Sequence, residues 1–159
     1  MKYWIKSAAA VATLAFASCG GGNSIGGLDA EAVFSISLTQ GAEVPVPKAT
    51  TASGTALLVI YPDRIDYEIT GASIIGVTMA HIHNGPTGVA GPIVVTLYNQ
   101  ASSPSGTING VFASGTLTSG NLPAGVTIES LKTLLKSGNA YVNVHTTTNP
   151  SGEIRGQVK

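Results

Sequence analysis

The feature that most constrains the fold is a repeated alternation of apolar and polar residues in short segments. In the segment 32–39, Phe34, Ile36 and Leu38 occupy every second position, and the segment 64–70 shows the same period. Successive side chains of an extended strand point to opposite faces, so each segment predicts a strand with one face toward a core.

Further segments of this kind recur at short intervals, separated by turns rich in glycine, proline and asparagine. The predicted strands are 32–39, 55–61, 64–70, 76–83, 93–98, 109–117, 140–146 and 152–158. Glycine, threonine, serine and valine dominate the composition, which favours β structure with many turns.

A single helix is predicted near residue 130. Leu131, Leu134 and Leu135 form one apolar stripe at helical spacing, between Thr127 and the stop signal Gly138. About eight strands and one short helix predict an all-β protein, an antiparallel Greek-key-like β-sandwich or barrel.

The N-terminus predicts export. Basic Lys2 and Lys6 precede an apolar stretch too short to span a bilayer, so residues 1–18 are interpreted as a signal peptide. Small residues before Cys19 resemble a bacterial lipoprotein signal, which implies cleavage before Cys19 and lipidation of its thiol. The alternative is an ordinary secretory signal followed by an unmodified cysteine.

Residues 19–31 are rich in glycine and predict a flexible linker that precedes one domain, 32–159. A lipid on Cys19 would hold that domain to the bacterial membrane, facing the periplasm or the exterior. Gly20 after the cysteine, where an aspartate would favour retention at the inner membrane, implies the outer membrane in a Gram-negative cell. Cys19 is the only cysteine, so no disulfide can form within the chain.

All three histidines lie in two predicted strands, at His81, His83 and His145. Strand alternation places His81 and His83 on one face, and Tyr141, Asn143 and His145 on one face of the other strand. If the strands meet, three imidazoles converge, which is enough for a mononuclear copper or zinc site. The alternative is that they are ordinary polar residues of two strands.

The last two strands predict a hairpin around Asn149. An even register places His145 opposite Glu153 and Asn143 opposite Arg155. Glu153 would then accept a hydrogen bond from His145 and support it, with Arg155 neutralising Glu153.

Several motifs resemble those of the CHRD (chordin-domain) family, in matching order and spacing from Val33 to Lys159. They are LTQGAEVP at 38–45, AHIHNGP at 80–86, GPIVV at 91–95, AYVNVHT at 140–146 and NPSGEIRGQ at 149–157. The resemblance implies a β-sandwich module found in bacterial exported proteins and in animal chordins, which bind growth factors. It implies a fold but no settled activity for a bacterial member.

The histidine pattern also resembles copper, zinc superoxide dismutase, where His81, His83 and His145 would match copper ligands. We do not expect dismutase activity, because a dinuclear site of that kind needs histidines that this chain lacks.

Two functions remain open at this stage. One is a non-enzymatic binding or structural module of the cell envelope, with an envelope or extracellular partner. The other is a copper- or zinc-binding protein. No basic patch is present, so nucleic acid is not an expected partner.

Overall fold

The computed structural model describes residues 29–102 and 105–159, which include the predicted domain apart from residues 103 and 104. The predicted signal peptide, Cys19 and most of the predicted linker lie outside the described residues. The strands are Ala32–Thr39 (β1), Ser53–Ile60 (β2), Ile65–Ile75 (β3), Val77–Asn84 (β4), Ile93–Asn99 (β5), Thr107–Leu117 (β6), Ala140–Thr146 (β7) and Ile154–Gln157 (β8). The described residues also form one α-helix, Ile128–Lys136 (α1), and a short 3-10 helix, Gln40–Ala42. The all-β prediction is confirmed.

The strands form one antiparallel sheet in the order β5-β4-β7-β8-β1-β2-β3-β6. Its two edge strands, β5 and β6, approach each other, so the sheet curls into a nearly closed barrel. The rings of Tyr98 on β5 and Phe112 on β6 pack edge to face, and the hydroxyl of Tyr67, on the neighbouring strand β3, donates to the Leu97 carbonyl oxygen of β5 at 2.8 Å. Side chains and not a backbone ladder therefore bring the edges together.

The core follows the alternation read from the sequence. On β1, Ile36 and Leu38 are buried while Ser35 and Ser37 are exposed. The last hairpin adopts the predicted even register, with Asn143 opposite Arg155 and Val144 opposite Ile154. Val142 and Val144 consequently face the barrel interior.

The helix begins after Thr127, whose side chain accepts a hydrogen bond from the Ser130 amide. Leu131 and Leu135 are buried as predicted, but Leu134 is only partly buried, and Ile128 belongs to the buried face instead. Lys132 also lies on the buried face, because its ammonium group contacts a carboxylate oxygen of Glu31 at 2.7 Å.

Strand β7 differs from the sequence-based expectation of one exposed face, since all seven of its residues are buried. The apolar side chains face the barrel interior, and the polar side chains lie beneath loops that cover the outside of the strand. Within the described residues, no helix is long and apolar enough to cross a membrane.

Candidate metal centre

The three histidines converge because β4 and β7 are neighbours in the sheet. His81 lies opposite Asn143, and Met79 lies opposite His145. The ring centroids are 4.8 Å apart for His81 and His145, 5.6 Å for His81 and His83, and 6.3 Å for His83 and His145. One nitrogen from each ring lies within 4.8 Å of those of the other two.

The cluster is enclosed. His81 is 3% exposed, and His83 and His145 are each 7% exposed. The loop 85–92 covers one side, where the Gly91 carbonyl oxygen lies 2.8 Å from Nδ1 of His83. The turn after β7 covers the other, where the Pro150 carbonyl oxygen lies 2.9 Å from Nδ1 of His145.

These carbonyl contacts determine which ring nitrogens can bind a metal. A carbonyl oxygen only accepts, so Nδ1 of His83 and of His145 must carry the proton and donate. In each neutral ring, Nε2 then has the free lone pair. Nε2 of His83 is buried and has no hydrogen-bond partner among the described residues.

His81 contributes its other nitrogen. Its Nδ1 lies 2.9 Å from Nε2 of His145. Since that Nε2 is an acceptor, Nδ1 of His81 donates to it in the metal-free arrangement. The three nitrogens directed at one another are therefore Nδ1 of His81, Nε2 of His83 and Nε2 of His145.

The electrostatics keep all three rings neutral at neutral pH. Burial, together with the charges that His145 and His83 would carry, lowers the pKa of His81 to about 4. Burial also lowers the pKa of His83 and of His145, although their carbonyl partners act in the opposite direction. Neutral imidazole is the form that binds a metal ion.

The spacing is close to that of a metal site without matching one. Ligands at about 2 Å from one ion are at most about 4 Å apart, which is less than the largest separation here. Binding would thus require small ring movements and would break the hydrogen bond between His81 and His145. Three nitrogen donors of this kind fit copper or zinc better than calcium or magnesium, which prefer oxygen ligands.

The predicted supporting hydrogen bond from His145 to Glu153 is wrong. Nδ1 of His145 lies against the Pro150 carbonyl oxygen, and the Glu153 carboxylate accepts hydrogen bonds from the hydroxyls of Thr50 and Thr146. Arg155 does not pair with Glu153 either. In the turn after β7, the Pro150 carbonyl oxygen occupies the position beside Nδ1 of His145 that was expected for the Glu153 carboxylate.

Arg155 lies instead against aromatic and backbone groups on the other side of the histidines. Its guanidinium carbon is 3.3 Å from the centroid of the Tyr141 ring, and that ring stacks on His83 at 4.6 Å. Nη2 of Arg155 donates to the Pro86 carbonyl oxygen at 3.1 Å. Arg155 therefore joins the loop 85–92 to the face of the sheet that carries the histidines.

Asn143 and Glu43 complete this buried polar region. Asn143 is 2% exposed and Glu43 is 3% exposed, and burial raises the pKa of Glu43. Four buried side-chain atoms lack hydrogen-bond partners among the described residues, and they all belong to this region: Oε2 of Glu43, Nε2 of His83, Oδ1 of Asn143 and Nη1 of Arg155. Sequence reasoning identified Asn143 and Arg155 but not Glu43, because no spacing rule links a loop residue to a distant strand.

Comparison with known families identifies one match for this chain. The family model described as CHRD domain matches residues 34–158, which is most of the chain. No curated protein and no solved structure matches the chain.

Proposed function

The chain belongs to the CHRD family, and on that premise we propose that it is an extracytoplasmic, lipid-anchored envelope module that binds one copper or zinc ion. His81, His83 and His145 are the proposed ligands. Cys19 is the proposed lipid attachment site, with the membrane as the resulting partner. The module itself is proposed to be non-enzymatic.

The observation that carries the metal proposal is the hydrogen bonding of the rings. Two of the three imidazoles have Nδ1 occupied by a backbone carbonyl oxygen, which leaves Nε2 available toward the cluster centre. Outer partners of this kind commonly fix the tautomer and orientation of metal-bound histidines. Nε2 of His83 is a buried acceptor with no hydrogen-bond partner among the described residues, and a bound metal ion would supply that partner.

Burial of the cluster supports a role in binding over one in catalysis. A catalytic metal keeps a coordination position that substrate can reach. Here each imidazole is at most 7% exposed, beneath the loop 85–92 and the turn after β7. A copper-handling or metal-stabilised module fits this enclosure. The absence of further histidines argues against a dismutase-like dinuclear site.

The deciding experiment is titration of the purified, untagged protein with zinc and with Cu(I). Calorimetry measures the binding, and metal analysis of the protein gives the number of ions bound. We expect one equivalent to bind at micromolar metal, and we expect His83→Ala to abolish binding. Glu153→Gln is the matched control, because Glu153 is about as buried as His83 but its carboxylate accepts hydrogen bonds only from threonine hydroxyls. This substitution should leave the metal affinity unchanged. Circular dichroism of the metal-free variants verifies that each one folds.

A second candidate function is recognition of an envelope or extracellular partner through the loops, with no metal. The observation in its favour is exposed apolar surface on two loops, where Val46 is 84% exposed and Val89 is 50% exposed. Absence of binding by the wild-type protein at micromolar zinc and Cu(I) would leave this candidate as the better account.

A further inference from the structure

A groove outside the histidine cluster has the features of a second binding site. Its volume is about 450 Å³, and it lies where three chain segments meet, 49–51, 73–75 and 148–153. Hydroxyl groups, one carboxylate and one large apolar side chain dominate its lining: Thr50, Thr51, Ser73, Ile75, Thr148 and Glu153. A concave surface with a few convergent polar groups is typical of small-ligand sites.

Glu153 lines the groove and is the buried carboxylate of its lining. The residue is 5% exposed, and its two carboxylate oxygens accept one hydroxyl hydrogen bond each, from Thr50 at 2.6 Å and from Thr146. A carboxylate oxygen has two lone pairs, so each one can still accept a further hydrogen bond. Both threonine hydroxyls are anchored, since each also accepts from a backbone amide, of Ala52 and of Asn149 respectively.

The carboxylate has no cationic partner within residues 29–102 and 105–159, where the ion pairs involve only other acids. Lys48 is close to Thr50 in sequence, yet it is exposed and its backbone is what contacts Asn149. Both hydroxyl partners are neutral, so a cationic donor brought to this carboxylate would add a charge-assisted hydrogen bond that the protein itself does not supply within the described residues.

One wall of the groove is formed by an irregular part of β3 that includes Ser73 and Ile75. The register with β6 shifts between Gly71 and Ile74, and Ser73 adopts a left-handed conformation with φ of 54°. The Ser73 amide donates to Oδ1 of Asn109 at 2.8 Å, which holds the bulge in place. Ile75, at the end of this wall, is 61% exposed and provides an apolar surface at the groove.

We propose that this groove binds a primary alkylammonium group, with the nitrogen on the Glu153 carboxylate and the alkyl chain against Ile75. An ammonium group supplies three donors and one positive charge, which match the free lone pairs of the carboxylate and its missing counter-charge. The hydroxyl oxygens of Thr51 and Thr148 are additional acceptors for the same group. The ligand is either a free amine or the lysine side chain of a protein partner, since both carry this chemistry.

The test is titration of the isotope-labelled protein with n-butylammonium, monitored by the backbone amide shifts of residues 49–51, 73–75 and 148–149. We expect saturable shifts at millimolar concentration, as suits a ligand of few atoms. Glu153→Gln should weaken binding at least 10-fold. Glu68→Gln, which removes an exposed carboxylate on β3, should leave it unchanged.

Matched ligands identify the source and the chemistry. Nα-acetyl-lysine amide keeps its side-chain ammonium group free. Binding of this compound comparable to that of n-butylammonium would support a lysine side chain as the ligand, and loss of binding would favour a small free amine. Equal binding of uncharged n-butanol or of glucose would overturn the proposal, as would undiminished binding by Glu153→Gln. Should Glu153→Gln fail to fold, Thr148→Val and Ile75→Ser provide the same test from the rim, with at least a 3-fold loss expected.

The two sites can be separated experimentally. His83→Ala should abolish metal binding and leave the amide shifts caused by n-butylammonium unchanged. Glu153→Gln should weaken n-butylammonium binding and leave metal binding unchanged. Failure of the metal proposal would thus leave the groove proposal standing.

Discussion

Nδ1 of His81 lies 2.9 Å from Nε2 of His145, so the two imidazoles share one hydrogen bond at the point where both nitrogens would face a metal ion. Only one proton occupies that contact. Because the Pro150 carbonyl oxygen holds the other nitrogen of His145 as a donor, the proton must belong to His81. His81 is therefore the ring whose tautomer has to change when a metal binds.

The first prediction concerns that tautomer. In the metal-free protein, nitrogen-15 NMR of the imidazoles should show protonated Nδ1 on all three histidines. On addition of zinc, His81 alone should change to the Nε2-protonated form, because its Nδ1 proton is displaced by the metal. His83 and His145 should keep their proton on Nδ1. A zinc-bound spectrum in which His81 retains its Nδ1 proton would contradict this assignment of ligand atoms.

The second prediction concerns pH. The pKa of His81 is lowered from 6.5 to about 4, so the unfolded chain takes up a proton as the pH falls below 6.5 and the folded protein does not until about pH 4. The free energy of unfolding should thus be fully retained above pH 6.5 and should fall progressively toward pH 4. The lowered pKa values of His83 and His145 act in the same direction.

The contribution of Glu43 to the pH dependence of stability has the opposite sign. Its pKa is raised, so as the pH falls the folded protein binds a proton at this group before the unfolded chain does. Comparison with His81→Asn isolates the histidine contribution. Urea midpoints measured across this pH range should have a smaller slope for His81→Asn than for the wild type. Equal slopes would show that His81 does not titrate as the structure indicates.

The third prediction distinguishes the leucines of α1. Leu135 is fully buried, so Leu135→Ala should reduce the free energy of unfolding by about 2–4 kcal/mol. Leu134 lies at the margin of the core, and Leu134→Ala should have a smaller effect. Denaturant midpoints of the two variants provide the comparison. If Leu134→Ala lost more free energy of unfolding than Leu135→Ala, the buried stripe predicted from the sequence would be correct and the burial seen here would not.

The fourth prediction uses two glycines with positive φ, Gly152 at 130° and Gly88 at 78°. A side chain at Gly152 would meet the carboxylate of Glu43, whereas one at Gly88 would meet nothing within 4 Å. Gly88→Ala should lose about 1–2 kcal/mol to backbone strain. Gly152→Ala should lose more, about 1–3 kcal/mol from strain alone, because a φ of 130° lies outside the left-handed helical region. A further loss should follow because the buried Glu43 carboxylate has to shift to admit the side chain.

Thermal unfolding of the two glycine variants measures the difference. Adding Glu43→Ala to Gly152→Ala should remove the steric part of the loss. If both single variants are equally stable, Glu43 is not packed against Gly152.

The fifth prediction concerns the anchor, which lies outside the described residues. Cys19→Ala should move the protein from the membrane fraction to the soluble fraction, because the lone thiol is the proposed lipid site. Fractionation and immunoblotting of the two proteins make the measurement. Continued membrane association of the variant would argue for another mode of attachment.

Much of this protein could be predicted from local sequence pattern. The period of two determined which residues of β1 and β7 face the core, since a strand alternates its side chains whatever surrounds it. The same rule predicted the register of the last hairpin and placed the histidines of β4 on one face. The helix was also predicted, although its buried face includes Lys132, which pairs with Glu31, and leaves Leu134 only partly buried.

Only the tertiary structure decided what covers the polar face of β7 and which partners its side chains take. Glu153 bonds to Thr50, which is 103 positions away in sequence, and not to the nearby His145. Likewise, the tautomer of His83 is determined by the Gly91 carbonyl oxygen, which belongs to a loop that folds over the sheet. Strand periodicity is a property of neighbouring residues, whereas hydrogen-bond partners depend on how loops distant in sequence are brought together when the barrel closes.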